Sequence, residues 1–297
     1  MLPITYAHLT DRGIISVSGP DSRDYLQGLI SNDITQVSSD KAIYAALLTP
    51  QGKYLFDFFI SQLGEKLLIE CEKSRTSELM KRLRMYKLRA NADLLDETED
   101  YSILALWGDS VREAMGLNKM GLGSAKEKSG GVQMIDPRLE AVGGRIVFPI
   151  NSAATEIKLI GAGLASLSDY DLHRLKLGLP NASSDMVIDK AILIESGFDE
   201  LNGIDWNKGC YMGQELTART KYRGLVKKRL VSITIEGATP EPGTPIMVGD
   251  KSVGEMRSSN GKSGIALLRL DQLENDATNY ICGQAILSPS KPEWAKF

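Results

Sequence analysis

Cysteine and histidine are scarce in this 297-residue sequence. The three cysteines, Cys71, Cys210 and Cys282, lie far apart and form no Cys-x-x-Cys pair, and the two histidines are His8 and His173. A histidine-rich metal centre is therefore excluded, and so is an iron–sulfur cluster held by four cysteines of one chain. Widely spaced cysteines are typical of a reducing compartment, so we expect a cytoplasmic protein. Any metal bound by Cys210 needs ligands from outside this chain.

Long apolar runs and a large excess of one charge are also lacking. No apolar run approaches the roughly 20 residues that span a bilayer. The first five residues lack a basic region followed by an apolar core, so we expect no signal peptide. The net charge of -3 gives no overall reason to expect a nucleic-acid-binding protein. The 42% hydrophobic and 25% charged content is typical of a soluble globular chain of two or three domains.

Several short nucleotide-binding and catalytic motifs are missing. Residues 261–263 (GKS) resemble the end of a phosphate-binding loop, but Gly254 lies two residues too far upstream, so we interpret them as a hairpin turn. Gly121 and Gly123 lack the third glycine and the preceding strand of a dinucleotide-binding fingerprint. Neither a G-x-S-x-G elbow nor an H-E-x-x-H helix occurs.

The most informative stretch is residues 208–215, with the sequence KGCYMGQE. Two glycines flank the cysteine, and glycines let the backbone turn tightly and approach a ligand closely. Residues 214–220 are compatible with a helix, so Cys210 is expected at a loop-to-helix entry that favours an anion or a thiolate. Lys208 is expected to lower the pKa of the thiol further. The alternative is a buried cysteine in a helix-start turn.

The spacing of apolar residues predicts strands and helices in alternation, followed by an all-β segment. Strands are predicted at residues 14–18, 43–48, 54–61 and 67–71, and helices at 22–30 (with Asp21 as N-cap), 74–88, 153–159 and 169–177. Residues 116–131 are predicted to be a loop. From Leu230 onward, short strand-like segments alternate with turn residues, which is typical of a small β-barrel or sandwich.

Six basic residues fall within one short run after the octet. They are Arg219, Lys221, Arg223, Lys227, Lys228 and Arg229. Taken alone, such a run is more often a solvated loop. Beside the Cys210 turn it is equally suited to the carboxylates of a bound anion.

Residues 208–215 resemble the K-G-C-Y-x-G-Q-E signature of the YgfZ family. These folate-binding proteins support the maturation of iron–sulfur enzymes and are related to the glycine-cleavage T-protein, an aminomethyltransferase. Shorter matches extend along most of the chain. They are residues 19–28 (G-x-D-x-x-x-Y-L-Q-G), 31–33 (SND), 48–53 (LTPQGK), 88–89 (LR) and 136–138 (DPR). The octet is the specific part of the resemblance.

The resemblance implies an α+β, T-protein-like fold. Such a fold has two α+β domains, one inserted in the other, and a small C-terminal β-barrel, all around a central folate pocket. By this analogy residues 1–50 and 138–226 form a discontinuous first domain that carries the octet. Residues 51–137 form the inserted domain and residues 227–297 form the barrel. The sequence pattern itself indicates only the boundary near residues 226–230.

The resemblance also implies a function. The chain is expected to be a tetrahydrofolate-binding accessory protein for the assembly, insertion or repair of iron–sulfur clusters in client enzymes, including tRNA-modifying enzymes. Cys210 is then a redox or one-carbon nucleophile, or one ligand of a transient cluster shared with a partner protein. Expected partners are iron–sulfur assembly or client proteins and the folate itself, with no membrane and no direct nucleic-acid binding.

The residues implied to contact the folate come from several parts of the chain. They are Asn32, Asp33, Tyr170, Lys208, Gly209, Tyr211, Gln214, Glu215 and Arg223. Among them, the basic side chains of Lys208 and Arg223 are expected to meet the glutamate tail of the folate.

Three positions depart from the patterns of the family and of the T-protein. Phe56 stands where the T-protein has the aspartate that works beside the folate, and a phenyl ring cannot transfer a proton, so aminomethyl transfer is not expected. Asp57 follows, but strand alternation directs its side chain to the opposite face. Tyr170 and Arg12 stand where some family members have tryptophans.

Two other functions stay open. The first is a folate-dependent one-carbon (aminomethyl) transferase, against which Phe56 counts. The second is a non-enzymatic module that binds RNA or protein, with RNA contacted through the basic run at residues 219–229. A conventional enzyme is not expected.

Overall fold

The computed structural model describes residues 3–117, 121–224, 226–273 and 279–297. The chain divides into two compact units. The first comprises Met1–Leu48, Leu55–Tyr170 and Leu201–Met212, and the second comprises Thr49–Tyr54, Asp171–Glu200 and Gly213–Phe297. No helix in the described ranges is long and apolar enough to cross a membrane.

The strands belong to three sheets, two in the first unit and one in the second. Their bounds are β1 Thr5–His8, β2 Arg12–Ser18, β3 Ile43–Leu48, β4 Tyr54–Leu63, β5 Lys66–Glu72, β6 Asp93–Asp96, β7 Tyr101–Trp107, β8 Ala125–Lys128, β9 Gly131–Ile135, β10 Gly144–Pro149, β11 Gly163–Leu164, β12 Lys228–Glu236, β13 Pro245–Val248, β14 Lys251–Asn260, β15 Ser263–Arg269, β16 Tyr280–Cys282 and β17 Ala285–Ser290. Strand β8 falls within the predicted loop at 116–131, of which residues 118–120 lie outside the described ranges.

The helices are mostly short. Their bounds are α1 Ser22–Gln27, α2 Thr76–Lys87, α3 Val111–Ala114, α4 Ile150–Ile160, α5 Leu167–Lys176, α6 Ala182–Asp185, α7 Gln214–Tyr222 and α8 Leu270–Leu273. Helix α1 ends three residues before its predicted end. Asp21 is predicted to cap α1, but its side chain makes no capping hydrogen bond. Its carboxylate instead accepts the backbone N–H of Asn91 at 2.7 Å.

The five-stranded sheet of the first unit has the strand order β3-β4-β5-β2-β6. Strands β2 and β3 are buried along nearly their whole length, so the sheet is covered on both faces. Strands β4 and β5 pair in antiparallel register across a tight turn at Gly64, as the short turn sequence predicts.

The six-stranded sheet of the first unit has the strand order β11-β1-β7-β10-β9-β8. Helix α4 packs on strands β7 and β10 and buries Ala153 and Ile157 against their apolar side chains. Both sheets of this unit combine strands from either side of residue 50, so they divide the chain differently from the predicted domains 1–50 with 138–226 and 51–137. Antiparallel pairing between distant strands decides this division, and local sequence patterns do not report it.

The second unit contains a closed six-stranded barrel in the order β12-β15-β14-β13-β16-β17. Its interior is filled by apolar side chains that include Ile233, Ile246 and Met256. This is the predicted C-terminal β-barrel. Residues 261–263 lie at the tight turn between β14 and β15, as predicted, with Gly261 at φ 59°.

A buried layer of charges ties the two sheets of the first unit together. Glu70 on β5 accepts Arg12 Nε at 2.9 Å and, from the other sheet, Arg145 Nε at 3.0 Å. Asp136 accepts Arg138 Nε at 3.0 Å and Nη2 at 2.9 Å. All these side chains are at least nine-tenths buried. Each charge therefore depends on its partners, because an isolated ion is strongly disfavoured away from water.

The pKa values of this layer follow from its geometry. Burial alone would raise the pKa of Glu70, but the charges and hydrogen bonds of Arg145 and Arg12 outweigh burial and lower it below its ordinary value. Burial alone would lower the pKa of Arg12, but the charges of Glu70 and Asp57 together outweigh burial and raise it. Glu70 is therefore ionised at neutral pH.

We expect Glu70→Gln to destabilise the protein at pH 7 by about 3–5 kcal/mol, because it leaves Arg12 and Arg145 buried without their counter-charge. Since the folded-state pKa of Glu70 lies below its unfolded value near 4.5, the stabilisation by Glu70 is complete above that pH. It is lost as the pH falls through the lower, folded-state pKa. The deficit of the variant should therefore shrink in acid, as measured by urea unfolding at a series of pH values.

The matched control is Glu65→Gln, at an exposed glutamate in the turn before β5. It should change the free energy of unfolding by no more than about 0.5 kcal/mol at any pH. A Glu70→Gln deficit as small as that of the control, or one that stays constant into acid, would contradict the assigned role of the charge layer.

Candidate functional site

The segment Leu201–Met212, which carries Cys210, is fixed to the first unit by hydrogen bonds to residues just after α1. Ser31 donates its hydroxyl to Gly203 O at 2.6 Å and accepts Asp205 N at its own carbonyl at 3.1 Å. Asn32 donates its amide to Asn202 O at 2.8 Å and to a strand carbonyl. The short polar residues of the SND sequence thus hold this segment in place.

Lys208 anchors the segment more strongly. Its ammonium group donates to three backbone carbonyls at and just after the end of α1, those of Gln27 (2.8 Å), Ile30 (2.7 Å) and Asn32 (2.8 Å). Helix ends leave such carbonyls without partners, and a cation is favoured there. Burial lowers the pKa of Lys208 to about 8, against the opposing charges of Asp33 and Asp205.

This geometry corrects the predicted role of Lys208. An ammonium group has three N–H donors, and all three are used within the protein, so none is left for the carboxylates of a folate tail. No local pattern in the sequence indicates this structural role. The acceptors of Lys208 lie about 180 residues away along the chain, where local patterns give no information.

Asp33 and Asn32 are also engaged within the first unit. Asp33 accepts Thr35 N, the Thr35 hydroxyl and Gln27 Nε2 at 2.8–3.0 Å. Burial would raise the pKa of Asp33, but the hydrogen bonds from Thr35 and Gln27 outweigh it and lower the pKa. Both residues end a helix or start a turn, as short polar side chains do. Their contact with a cofactor stays a prediction.

Cys210 lies at the surface. Gly209 and Cys210 are exposed, whereas Lys208 and Tyr211 on either side are buried. The Lys208 ammonium lies 5.2 Å from the centre of the Tyr211 ring, a cation–π distance. The segment returns to α1 where Met212 N donates to Gly28 O at 3.1 Å. The alternative of a buried, structural cysteine is therefore wrong.

The two other cysteines differ from Cys210 in environment. Cys71 is buried, and burial raises the pKa of its thiol to about 11. Cys282 is buried in the barrel wall, and burial raises its thiol pKa as well. Since the thiolate is the form that attacks electrophiles or binds metals, Cys210 is the accessible thiol of the chain.

The last three residues of the octet belong to the second unit. Gly213 has φ 81° and is the N-cap of α7, so the predicted helix after the octet is present. Gln214 is half-buried, and the Glu215 side chain is largely exposed, 3.7 Å from Arg219. Arg223 is exposed at the end of α7. Cofactor contacts by Gln214, Glu215 and Arg223 stay predictions.

The turn at residues 49–53 packs against the start of α7 within the second unit. Gly52 has φ 80°, and a Cβ atom there would lie 2.6 Å from Leu216 Cβ and 2.7 Å from Gly213 O. The turn at residues 49–53 and the end of the octet at Gly213 can lie this close together because only glycine at position 52 avoids the clash.

Phe56 and Asp57 have different surroundings in the first unit. The Arg75 guanidinium lies 4.0 Å from the centre of the Phe56 ring. Asp57 is buried and accepts the Tyr44 hydroxyl at 2.8 Å. The alternation predicted for this strand agrees with these separate contacts. No carboxylate therefore stands at position 56, which the resemblance to the T-protein places opposite that enzyme's aspartate.

Arg12 and Tyr170, the two other departures, both join the buried charge layer. Tyr170 accepts Arg145 Nη1 at its hydroxyl at 3.2 Å, and its ring lies 5.7 Å from that of Trp107. Arg12 is bound to Glu70. The aromatic ring at position 170 is therefore in place, but it packs on a residue of the protein itself, and a contact with folate stays a prediction.

A cavity of about 390 Å³ opens in the first unit beside the anchored segment. Its polar lining residues are Asn32, Gln36, Lys41, Asn202 and Asp205, and the rest of the wall is apolar. This volume lies in the range of small-molecule sites. Sequence reasoning missed all of these residues except Asn32, because no motif marks them and only the fold brings them together.

Within the described ranges, no three histidine, cysteine, aspartate or glutamate side chains are grouped as a metal site. Since iron–sulfur clusters are normally held by four thiolates, Cys210 supplies one ligand at most. A cluster bound there needs the remaining ligands from another molecule.

The fold is that of the glycine-cleavage T-protein. The structure is similar to the crystal structure of glycine cleavage system aminomethyltransferase T from Bartonella henselae, with a TM-score of 0.78 over 99% of this chain and 86% of that chain. The sequence identity is 16%, so this likeness shows the fold alone. Residues 7–120 match the GCVT N-terminal domain, and residues 227–297 match the C-terminal beta-barrel domain of CAF17. The predicted fold class is confirmed.

The relatives narrow this class to one family. The chain is 30% identical to human iron-sulfur cluster assembly factor IBA57, mitochondrial, over 96% of this chain and 84% of that protein. It is 31% identical to the Mus musculus protein over 91% and 79%. It is 38% identical to the Neurospora crassa homolog over 78% of this chain, which spans 54% of that protein. The chain belongs to the IBA57 family.

Two predictions are revised by these relatives. The relationship to the T-protein is confirmed, but the relatives bear the name IBA57 rather than YgfZ. The prediction of a cytoplasmic protein is contradicted, because the relatives are named as mitochondrial proteins and point to that compartment. Scarce, unpaired cysteines report a reducing environment but not which compartment provides it.

We expect Lys208→Met to release the Leu201–Met212 segment, because three carbonyls lose their partner together. Hydrogen exchange of residues 201–212 should accelerate, and the free energy of unfolding should fall by about 2–4 kcal/mol. Lys126→Met, at an exposed lysine of the same unit, should change neither. Unchanged exchange in this segment would show that Lys208 does not hold it.

We also expect Gly52→Ala to destabilise the second unit by about 2–4 kcal/mol, since strain at positive φ and a clash with α7 act together. Gly243→Ala is the matched control, because Gly243 has φ 85° but open space around its Cα atom. It should cost only about 1–2 kcal/mol. Equal losses in thermal unfolding would mean that the contact with Leu216 and Gly213 is unimportant.

Proposed function

We propose that this protein acts in the assembly of iron–sulfur clusters and holds a cluster in transit through the thiolate of Cys210. The observation that carries the proposal is an exposed cysteine on a segment anchored by Lys208, in a chain of the IBA57 family. Gly209 beside it is exposed and has open space around its Cα atom, so a bulky group can approach the sulfur.

The cluster is cargo in this proposal. One thiolate satisfies one of the four protein ligands that a cluster normally has, so the other ligands come from a donor or client protein. Incomplete ligation by this chain favours release, because the partner keeps most of the metal–sulfur bonds. We propose that the clusters reach client enzymes, among them tRNA-modifying enzymes.

Tetrahydrofolate binding is a separate proposal, supported by the T-protein fold. The residues implied to contact it do not fit this ligand well. The N–H donors of Lys208 are all bound to backbone carbonyls. The Asn32 amide is bound to two carbonyls, and Tyr170 packs on Trp107. We therefore assign the folate no step in the mechanism. Aminomethyl transfer is disfavoured too, because Phe56 lies under the Arg75 guanidinium where a carboxylate is needed.

An RNA-binding role is weakened by ion pairs within the second unit. Lys221 and Arg229, two of the six residues of the basic run, lie 3.0 Å from the carboxylate of Asp199, which is buried. Their charge is therefore partly neutralised before any phosphate approaches. This observation favours cluster assembly over RNA binding.

We expect Cys210→Ser to abolish the support of iron–sulfur enzymes without unfolding the protein, because it removes the thiolate and little else. The test is complementation of cells that lack the native protein, with the activity of a [4Fe–4S] enzyme as the readout. Asn207→Ser, at an exposed neighbour on the same segment, should retain full activity. Full activity of Cys210→Ser would remove the thiol from the function.

A second measurement separates the cluster from the folate. Titration of the reduced protein with tetrahydrofolate should give the same affinity for the wild type and for Cys210→Ser, since the proposed cluster ligand is not a folate contact. The absence of any binding would end the folate proposal and leave the cluster proposal intact.

A further inference from the structure

The C-terminal half of α2 has an unusual surface. Residues 81–89 contain five basic residues and no acidic residue, in a protein whose net charge is -3. Lys81, Arg84 and Arg89 are exposed, and within the described parts of the chain they make no ion pair, whereas Lys87 lies 4.0 Å from Asp93. These three cations therefore face solvent without an ion-pair partner among the described residues.

Two apolar side chains are exposed among these cations. Helix α2 buries Leu79, Met80 and Leu83, but Met85 is 53% and Leu88 is 89% exposed. We call Lys81, Arg84, Met85, Leu88 and Arg89 the α2 surface. An apolar centre with methionine, surrounded by arginine and other polar residues, is typical of protein–protein interfaces.

Leu88 adds a second, independent observation. It has φ 48° and ψ −110° at the C-terminal end of α2, where glycine is the usual residue. A bulky side chain in this conformation is strained, and such strain concentrates at functional positions. The side chain gains no burial from it, since it is almost fully exposed. Neither local conformation nor packing within the protein accounts for a leucine here.

The α2 surface is linked to the segment of Cys210 through α1. The Tyr25 hydroxyl on α1 donates to Leu83 O on α2 at 2.5 Å. Two to three residues further along, the C-terminal end of α1 holds Lys208 at Gln27 O and Met212 at Gly28 O, on either side of Cys210. Helix α1 has six residues, which correspond to about 9 Å of helix axis. A standard interface covers roughly 800 Å² per partner and is wider than this spacing.

We propose that the α2 surface is the docking site of an acidic protein, the partner that shares the cluster at Cys210. This inference rests on the proposed function, from which it takes the role of the partner as the protein that shares the cluster. Positive charges around an apolar centre are complementary to acidic residues around an apolar contact, and such charges speed association. A nucleic acid offers no aliphatic contact for Met85 and Leu88, and most of the apolar face of α2 is buried and inaccessible to a membrane.

The first experiment captures the partner. A photo-crosslinking amino acid is placed at Leu88 and, as a matched control, at Leu159, which is another exposed leucine of the first unit. Both proteins are expressed at full length in cells. An acidic protein captured at position 88 and not at 159 is the expected result. Capture alone is not taken as support, and the captured protein is then purified.

The second experiment measures the affinity of the purified partner for full-length variants. Arg84→Glu with Arg89→Glu, and separately Leu88→Asp, should each weaken binding about tenfold or more, and added salt should weaken the wild-type complex. Leu159→Asp should leave the affinity unchanged. An acidic-to-lysine change on the partner should restore binding to the Arg84→Glu, Arg89→Glu variant.

Leu88→Gly separates docking from folding. Glycine adopts the observed conformation without strain, so the variant should unfold at the same temperature as the wild type or a few degrees higher. Its affinity for the partner should nevertheless fall. A stabilised variant with undiminished affinity would show that the Leu88 side chain does not contact the partner.

Other results would overturn the proposal. They are capture at neither position, equal capture at both, capture of a second copy of this chain, and binding of tRNA or of anionic phospholipid vesicles that the charge reversal abolishes without any acidic protein partner. A captured acidic protein whose affinity ignores the charge reversal would overturn it as well.

Failure of the docking proposal can be told apart from failure of the proposed function. Partner binding is measured with and without Cys210→Ser, and enzyme support is measured separately in cells. Charge-dependent docking with full enzyme support by Cys210→Ser would sustain the surface and refute the cluster role. If Cys210→Ser abolishes enzyme support while changes in the α2 surface leave partner binding unaltered, the cluster role is sustained and the docking surface is refuted.

Discussion

The candidate site depends on one buried ammonium group. A buried charge is tolerated only when its hydrogen-bonding capacity is filled, and Lys208 fills it with three backbone carbonyls around the end of α1. This arrangement fixes the lysine, and with it the chain on either side. Cys210, two residues after Lys208, is exposed to solvent. The lysine of the octet thus serves the position of the thiol, and not its own contact with a ligand.

The placement of charged side chains also distinguishes this protein from its structural relative, the T-protein. The resemblance to the T-protein implies that Phe56 stands where that enzyme has a working carboxylate, and in this structure the Phe56 ring lies against the Arg75 guanidinium. Other buried charges of the first unit are paired in a layer between its two sheets, where Glu70 binds Arg12 and Arg145. They hold the sheets together and leave no unpaired base for catalysis in that layer.

The sequence predicted features that depend on neighbouring residues. The buried strand at 43–48, the helix after the octet, the C-terminal barrel and the turn at 261–263 all rest on local spacing and turn chemistry, and all are present. Features set by distant partners were not predictable. The acceptors of Lys208 and the use of Asp21 on Asn91 depend on residues at least 70 positions away. The division of strands between the two sheets depends on pairings such as β1 with β7 and β2 with β6, which also join distant parts of the chain.

A single exposed thiol and a separate, proposed docking surface together suit the proposed release of a cluster to a partner. Tight binding of a cluster by four ligands of one chain would make transfer slow, whereas one thiolate, as proposed for Cys210, would hold the cluster only while a partner is present. Docking through a surface that contains no cluster ligand keeps the partner close, which raises the effective concentration of its ligands near Cys210. Affinity for the partner and affinity for the cluster can then be set independently, by Arg84, Leu88 and Arg89 on one side and by Cys210 on the other. Release of the cluster does not require release of the partner, and the order of the two events becomes a property of the partner's own ligands.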